Sequence, residues 1–215
     1  MIDIQNKVKE IKLSFRLMMD GATAQSMREK GLDYHLNWGA TLPRLHQMAE
    51  EIKADISKTD ATTDSLYDLA IVLWKENVRE CKILATMLMP AERMLPEVVD
   101  IWMEQTETVE IAEQASFNLY QHLPFAADKA YEWLASPHDL PQICGYHVLS
   151  RLFRQGQAPN ERGINEFIDQ VLSALQSPNM VLRKAAFQSV MFFSELGLMY
   201  ERVAQNALKR IGYTL

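Results

Sequence analysis

Three carboxylates stand at i, i+3 and i+6 in the run Glu107-Thr108-Val109-Glu110-Ile111-Ala112-Glu113, at what reads as a helix start. Acids there complement the positive end of the helix dipole, a structural role that needs no chemistry. Were Glu110 instead to face a groove beside Glu107 or Glu113, mutual repulsion would raise its pKa and the pair would repel DNA. Arg183 and Lys184 fall near another helix start, where a phosphate could meet both side chains and unbonded backbone N–H groups. Solvated surface charge accounts for the same two residues.

Trp74, Trp102 and Trp133 each close an apolar helix stripe and read as core, whereas Trp38 lies in a Gly-bearing turn that leaves a surface or groove role open. The five histidines form no HExxH or other ligand spacing, so neither a metal nor another cofactor is expected. A Gly-rich phosphate loop and a GxSxG nucleophile turn are both missing. Cys81 and Cys144 fit neither a disulfide framework nor a metal site and read as small buried thiols.

The elements that must position these residues are helices. Val8, Ile11, Phe15 and Met18 share one face of a first helix, which Asp20-Gly21 interrupts. Leu42, Leu45, Met48, Ala49 and Ile52 form the next stripe. Thr62-Thr63-Asp64 offers a cap to a helix bearing Leu66, Leu69, Ala70 and Leu73. Asn77 starts another, with Cys81, Leu84, Ala85 and Leu88, ended by Pro90. Further helices are expected at about 91–104, 107–121, 125–135, 140–154, 161–176, 179–195 and 198–211. Gly156 to Asn160 reads as the clearest loop between helices.

Two of these segments repeat at a fixed offset. Ser136-Pro137-His138 recurs 41 residues later as Ser177-Pro178-Asn179, and the same offset pairs Leu140 with Val181, Gly145 with Ala186, Tyr146 with Phe187 and Leu149 with Val190. A period of about 40 to 47 residues built of paired helices is that of HEAT and armadillo arrays. Such units bury their apolar faces against one another and leave a concave surface for a long partner. An all-α HEAT-like helical-repeat superhelix, an α-α solenoid forming a single domain over 1–215, is the expected architecture.

Composition narrows the partners. The net charge of −6 is uneven: residues 1–58 carry nine basic and eight acidic groups, 59–140 five and fifteen, and 141–215 eight and five. A polyanion would therefore meet the ends of the chain, or a basic stripe that the acidic middle does not cancel. No apolar run approaches the roughly 18 residues of a membrane span, and the first residues lack a signal-peptide pattern, so a cytoplasmic protein without membrane contact is expected.

Three segments resemble one family, the AlkD-like DNA alkylation repair glycosylases. They are Tyr34-His35-Leu36-Asn37-Trp38-Gly39-Ala40-Thr41-Leu42-Pro43-Arg44, Leu73-Trp74-Lys75-Glu76-Asn77-Val78-Arg79-Glu80 and Leu182-Arg183-Lys184-Ala185-Ala186, in the family's order over roughly residues 20 to 200. The resemblance implies HEAT-like helix pairs and a duplex DNA substrate carrying an N3- or N7-alkylated purine. It also implies a carboxylate that stabilises positive charge developing on the deoxyribose. The family's aspartate maps to Glu110, its first tryptophan to Thr106, its second to Gln188, and its arginine falls within Leu140-Pro141-Gln142-Ile143.

Two functions follow as expectations. One is a DNA alkylation repair protein with Glu110 as a weakened electrostatic catalyst of N-glycosylase type, and with Thr41, Arg44, Arg79, Arg183, Lys184 and Gln188 on DNA. The other is a non-catalytic HEAT-like scaffold that binds DNA structures or a protein partner.

Overall fold

The computed structural model describes residues 3–58 and 63–215, which fall into two compact units meeting in sequence at Leu119 and Tyr120. Among the described residues there are helices and turns but no strand. No helix among them is long and apolar enough to cross a membrane.

The first unit holds α1 (Ile4–Leu17), α2 (Gly21–Glu29), α3 (Leu42–Ser57), α4 (Thr63–Lys75), α5 (Arg79–Leu88), a 3-10 turn (Ala91–Arg93), α6 (Pro96–Glu104) and α7 (Val109–Asn118). Asp20-Gly21 does more than interrupt α1. The Asp20 carboxylate accepts from the N–H groups of Ala22 (3.0 Å) and Thr23 (3.1 Å) and so caps a second helix. That helix buries only Ala24, which is why no apolar stripe announces it. The cap expected at Thr62 lies outside the described residues. The helix expected from Asn77 begins two residues later, after an extended Val78. The helix expected over 91–104 is split, because Pro96 forces an extended Leu95 and then serves as the first residue of α6.

Every residue of α5 is buried. It packs against α3, α4 and α7, while α1 lies on α4. Because no side of α5 reaches water, its polar residues must find protein partners. One row of them does so toward α6 and α7. The Lys82 ammonium donates to the Gln105 carbonyl at the end of α6 (2.7 Å), and Thr86 accepts from the Asn118 amide at the end of α7 (2.9 Å). Beside Lys82 the Trp74 and Trp102 rings stack at 4.0 Å, 1° from parallel. Trp38, left open by its turn, is in the core too: 7 % exposed, 5.5 Å from the Phe15 ring.

The second unit begins with a 3-10 turn (Tyr120–His122) and continues through α8 (Ala126–Leu134), α9 (Asp139–Arg154), α10 (Glu161–Ala174), α11 (Met180–Ser194) and α12 (Leu198–Lys209). Here α9 is the central helix, with α8 on one side and α11 on another, and Ile143 through Ser150 are all buried. The 41-residue repeat is visible atom by atom. The backbone N–H of His138 donates to the Ser136 hydroxyl (3.2 Å), and that of Asn179 to the Ser177 hydroxyl (3.1 Å). The Gln142 amide reaches back to the Ser136 carbonyl (2.7 Å) as the Arg183 guanidinium does to that of Ser177 (3.2 Å). The two copies are joined by the Asn179 amide donating to the Asp139 carboxylate (2.7 Å).

Gly145 in this repeat has a steric reason. A Cβ there would stand 2.8 Å from the Ala130 carbonyl oxygen of α8 and 3.2 Å from a Leu134 methyl. Phe153 of α9, Phe167 of α10 and Phe193 of α11 form a cluster with ring centres 5.1 to 5.6 Å apart.

Candidate functional site

The densest polar constellation is buried in the first unit, where the segment between α2 and α3 meets the starts of α5 and α7. Arg79 opens α5 and is 1 % exposed. Its Nε and Nη2 donate to the two carboxylate oxygens of Glu110 at 2.8 and 2.6 Å, a paired geometry that a lysine could not make. Its Nη1 donates to the Ala40 carbonyl at 2.8 Å and reaches Glu80 at 3.3 Å. Glu80 is wholly buried, and its two oxygens accept from the backbone N–H groups of Trp38 and Ala40, both at 3.2 Å.

Glu110 has a second donor in the Tyr34 hydroxyl, which also lies 3.0 Å from the Thr108 hydroxyl. Thr108 caps α7 by accepting from the Ile111 N–H, so the carboxylate sits in the first turn of that helix, where the dipole favours it. The segment that supplies Tyr34 and Ala40 is held tightly. Gly39 has φ of 76°, and a Cβ on it would lie 2.2 Å from the Asp20 carbonyl oxygen, so no other residue fits.

The electrostatics agree with this geometry. Burial works to lower the Arg79 pKa, but hydrogen bonding and attraction from Glu110, together with Glu80 and Tyr34, raise it instead. Burial and the Glu110 charge push the Tyr34 hydroxyl well above the ordinary tyrosine value, keeping it a neutral donor. The Glu110 carboxylate is thus paired with a buried guanidinium, with only 14 % of its side chain exposed. A carboxylate in that setting fastens α5 to α7; to stabilise a developing cation it would have to surrender Arg79.

The other expected site residues are placed differently. Thr41 and Arg44 are exposed at the start of α3, with Arg44 donating to Gln47 (2.8 Å). Arg183, half-buried, and Lys184 and Gln188, both exposed, lie on α11 of the second unit. Arg79, expected on phosphate, is buried and engages both Glu110 and Glu80. Thr106 is 6 % exposed and donates to the Trp102 carbonyl (2.7 Å), so no aromatic ring stands there. Tyr34 and Glu80 were not singled out, although both lie in the segments quoted for the resemblance. The signal for Glu80 was the Arg-Glu pair at the head of α5.

Comparison with known proteins bears on the whole chain. The sequence model of the family described as DNA alkylation repair enzyme matches residues 11–186. A solved structure from a family described as related to the HEAT-like repeat DNA glycosylases, with affinity for branched DNA structures, superposes with a TM-score of 0.76 at 14 % identity. It covers 96 % of this chain and 83 % of that one. The architecture is therefore that of the HEAT-like repeat fold. No curated protein sequence matches at a significant level.

Proposed function

Because the chain belongs to the DNA alkylation repair enzyme family, we propose that it binds DNA through the exposed cations of its helical repeats and does not excise bases. The observation that carries the second half is the state of Glu110: both its oxygens accept from Arg79, and Tyr34 adds a further hydrogen bond. Excision of an alkylated purine would need a carboxylate able to face positive charge on the sugar, and here that charge is already matched from within. Thr106 and Gln142, at positions where the resemblance implies an aromatic clamp and an arginine, hold backbone carbonyls instead. Misplacement by about one ångström, which such positioning groups prevent, can cost about a hundredfold in rate.

The structurally similar protein has affinity for branched DNA, and branched DNA is the substrate class we assign to this chain, with Thr41, Arg44, Arg183, Lys184 and Gln188 on the backbone. Its setting on this reading is the cytoplasm, where Cys81 and Cys144 stay reduced.

Two measurements test the proposal together. Duplex DNA containing 7-methylguanine is incubated with the protein and with Glu110→Gln, and abasic sites are counted. Release stays at background for both proteins. Release by the wild type that vanishes in Glu110→Gln would restore the glycosylase reading. Binding to a four-way junction and to its unbranched duplex is then measured across salt concentrations. The junction binds more tightly and both affinities fall as salt rises. Absence of salt-dependent binding to either would end the DNA reading.

A further inference from the structure

The family match stops at Ala186, within α11, yet the chain continues through the rest of α11, all of α12 and a tail. Several contacts bring this tail back to the start of α11. After α12 the chain turns at Gly212, whose φ is 77°. The Tyr213 ring then rests 6.3 Å from that of Phe187, and its hydroxyl donates to the Leu175 carbonyl (3.2 Å), two residues before the Ser177 turn. Lys209 and Tyr213 also line one cavity of about 280 Å³, together with Gln205, Thr214 and Leu215. Phe187 lies one helical turn past Lys184 on α11.

The end of α12 is thus set beside the beginning of α11, and each carries a pair of cations: Lys209 and Arg210 on the first, Arg183 and Lys184 on the second. Lys184, Lys209 and Arg210 are exposed and Arg183 is half-buried. Among the described residues none of the four makes an ion pair. The acids of these two helices stand at the other end. Glu195 is about 18 Å along α11 from Arg183, and Glu201 about 12 Å along α12 from Lys209. Both separations exceed the roughly 8 Å Debye length at physiological salt. Asp139, across the turn, accepts from the Asn179 amide and pairs with none of the four. Cations that no carboxylate pairs keep a counterion atmosphere that a phosphate backbone would release.

We propose that Arg183, Lys184, Lys209 and Arg210 form one patch for the DNA phosphate backbone, to which the segment beyond the family match contributes half the charge. The patch rests on the DNA-binding reading and adds to it the C-terminal helix as a binding element. The Arg183 and Lys184 pair alone would give a weaker contact, and the packing of Tyr213 on Phe187 is what adds the second pair.

The test compares the wild type with the double variant Lys209→Ala/Arg210→Ala and a charge-matched control, Arg162→Ala/Arg202→Ala, whose arginines are exposed in the first two turns of α10 and α12. Junction DNA binding is titrated from 50 to 300 mM salt, about the range over which phosphate contacts weaken steeply. The double variant loses roughly ten- to thirtyfold in affinity near 0.15 M salt, and its log–log salt slope drops by nearly two, while the control keeps the wild-type slope. Lys209→Gln/Arg210→Gln, which retains side-chain length, behaves as the alanine pair does. An unchanged slope in both Lys209/Arg210 variants, or equal losses in the control, would overturn the patch and leave the DNA-binding reading standing. Failure of the wild type to bind DNA would overturn that reading and the patch with it.

Discussion

Removing the Glu110 carboxylate leaves the Arg79 guanidinium buried beside Glu80 without its bidentate partner, and a half-broken buried pair is costlier than one never made. Glu110→Ala should lower stability by about 3 kcal/mol, the lower end for such pairs because Glu110 keeps a partly exposed edge. For a chain of this size that corresponds to a fall of roughly 6–12 °C in melting temperature. Glu110→Gln, which still accepts one hydrogen bond from Arg79, should lose about half as much. Thermal melts followed by circular dichroism decide the matter; a change below about 2 °C for Glu110→Ala would mean that the pair does not fasten the fold. The sequence singled out Glu110 and Arg79 separately and gave them separate tasks. Their partnership spans 31 residues, and that of Tyr34 with Glu110 spans 76, distances over which local periodicity carries no information.

At the scale of elements, the long amphipathic helices were legible because a 3.6-residue stripe survives in any environment that has one wet side. What escaped the stripe was α2, which buries a single alanine, and the break at Leu95-Pro96, where one proline outweighs an otherwise continuous pattern. The helix α5 was legible as a helix but not as a wholly buried one, since its Arg79, Glu80, Lys82 and Thr86 suggest a solvated side that does not exist. The repeat was the most informative element signal, and its equivalences reach single hydrogen bonds at Gln142 and Arg183. Gly145 tests the closeness of that packing. Alanine there gains up to about 1 kcal/mol of helix propensity, yet its Cβ must displace a backbone carbonyl of α8. Overpacking of this sort typically costs about 1–3 kcal/mol. Gly145→Ala should therefore be destabilising, by about 1–2 kcal/mol in urea titration, whereas a stabilised variant would mean that α8 and α9 separate readily.

At the scale of the whole molecule, the response to pH is set by groups buried in both units. The hydroxyls of Tyr34 in the first unit and of Tyr131 and Tyr146 in the second all titrate above the ordinary tyrosine value of 10.0, chiefly through burial, and Tyr131 reaches about 12. Burial likewise pushes the Cys81 thiol from 9.0 up to about 12. A group whose folded pKa is raised stabilises fully below its unfolded value, and that contribution is lost as pH climbs from the unfolded value through the folded one. Stability should therefore begin to fall near pH 9 with the thiol and steepen above pH 10 with the tyrosines. Tyr146 isolates one contribution, because its hydroxyl is fully enclosed and meets no protein acceptor. Tyr146→Phe should be neutral or stabilising by up to about 1 kcal/mol at pH 7.5, since it removes a buried donor that gains nothing. Between pH 10 and 11 the variant should lose about 1 kcal/mol less than the wild type, close to the 1.4 kcal/mol per unit expected for one proton. Urea midpoints at pH 7.5, 10 and 11 for the two proteins measure both effects, and parallel losses would show that the Tyr146 hydroxyl ionises as readily in the folded chain as in the unfolded one.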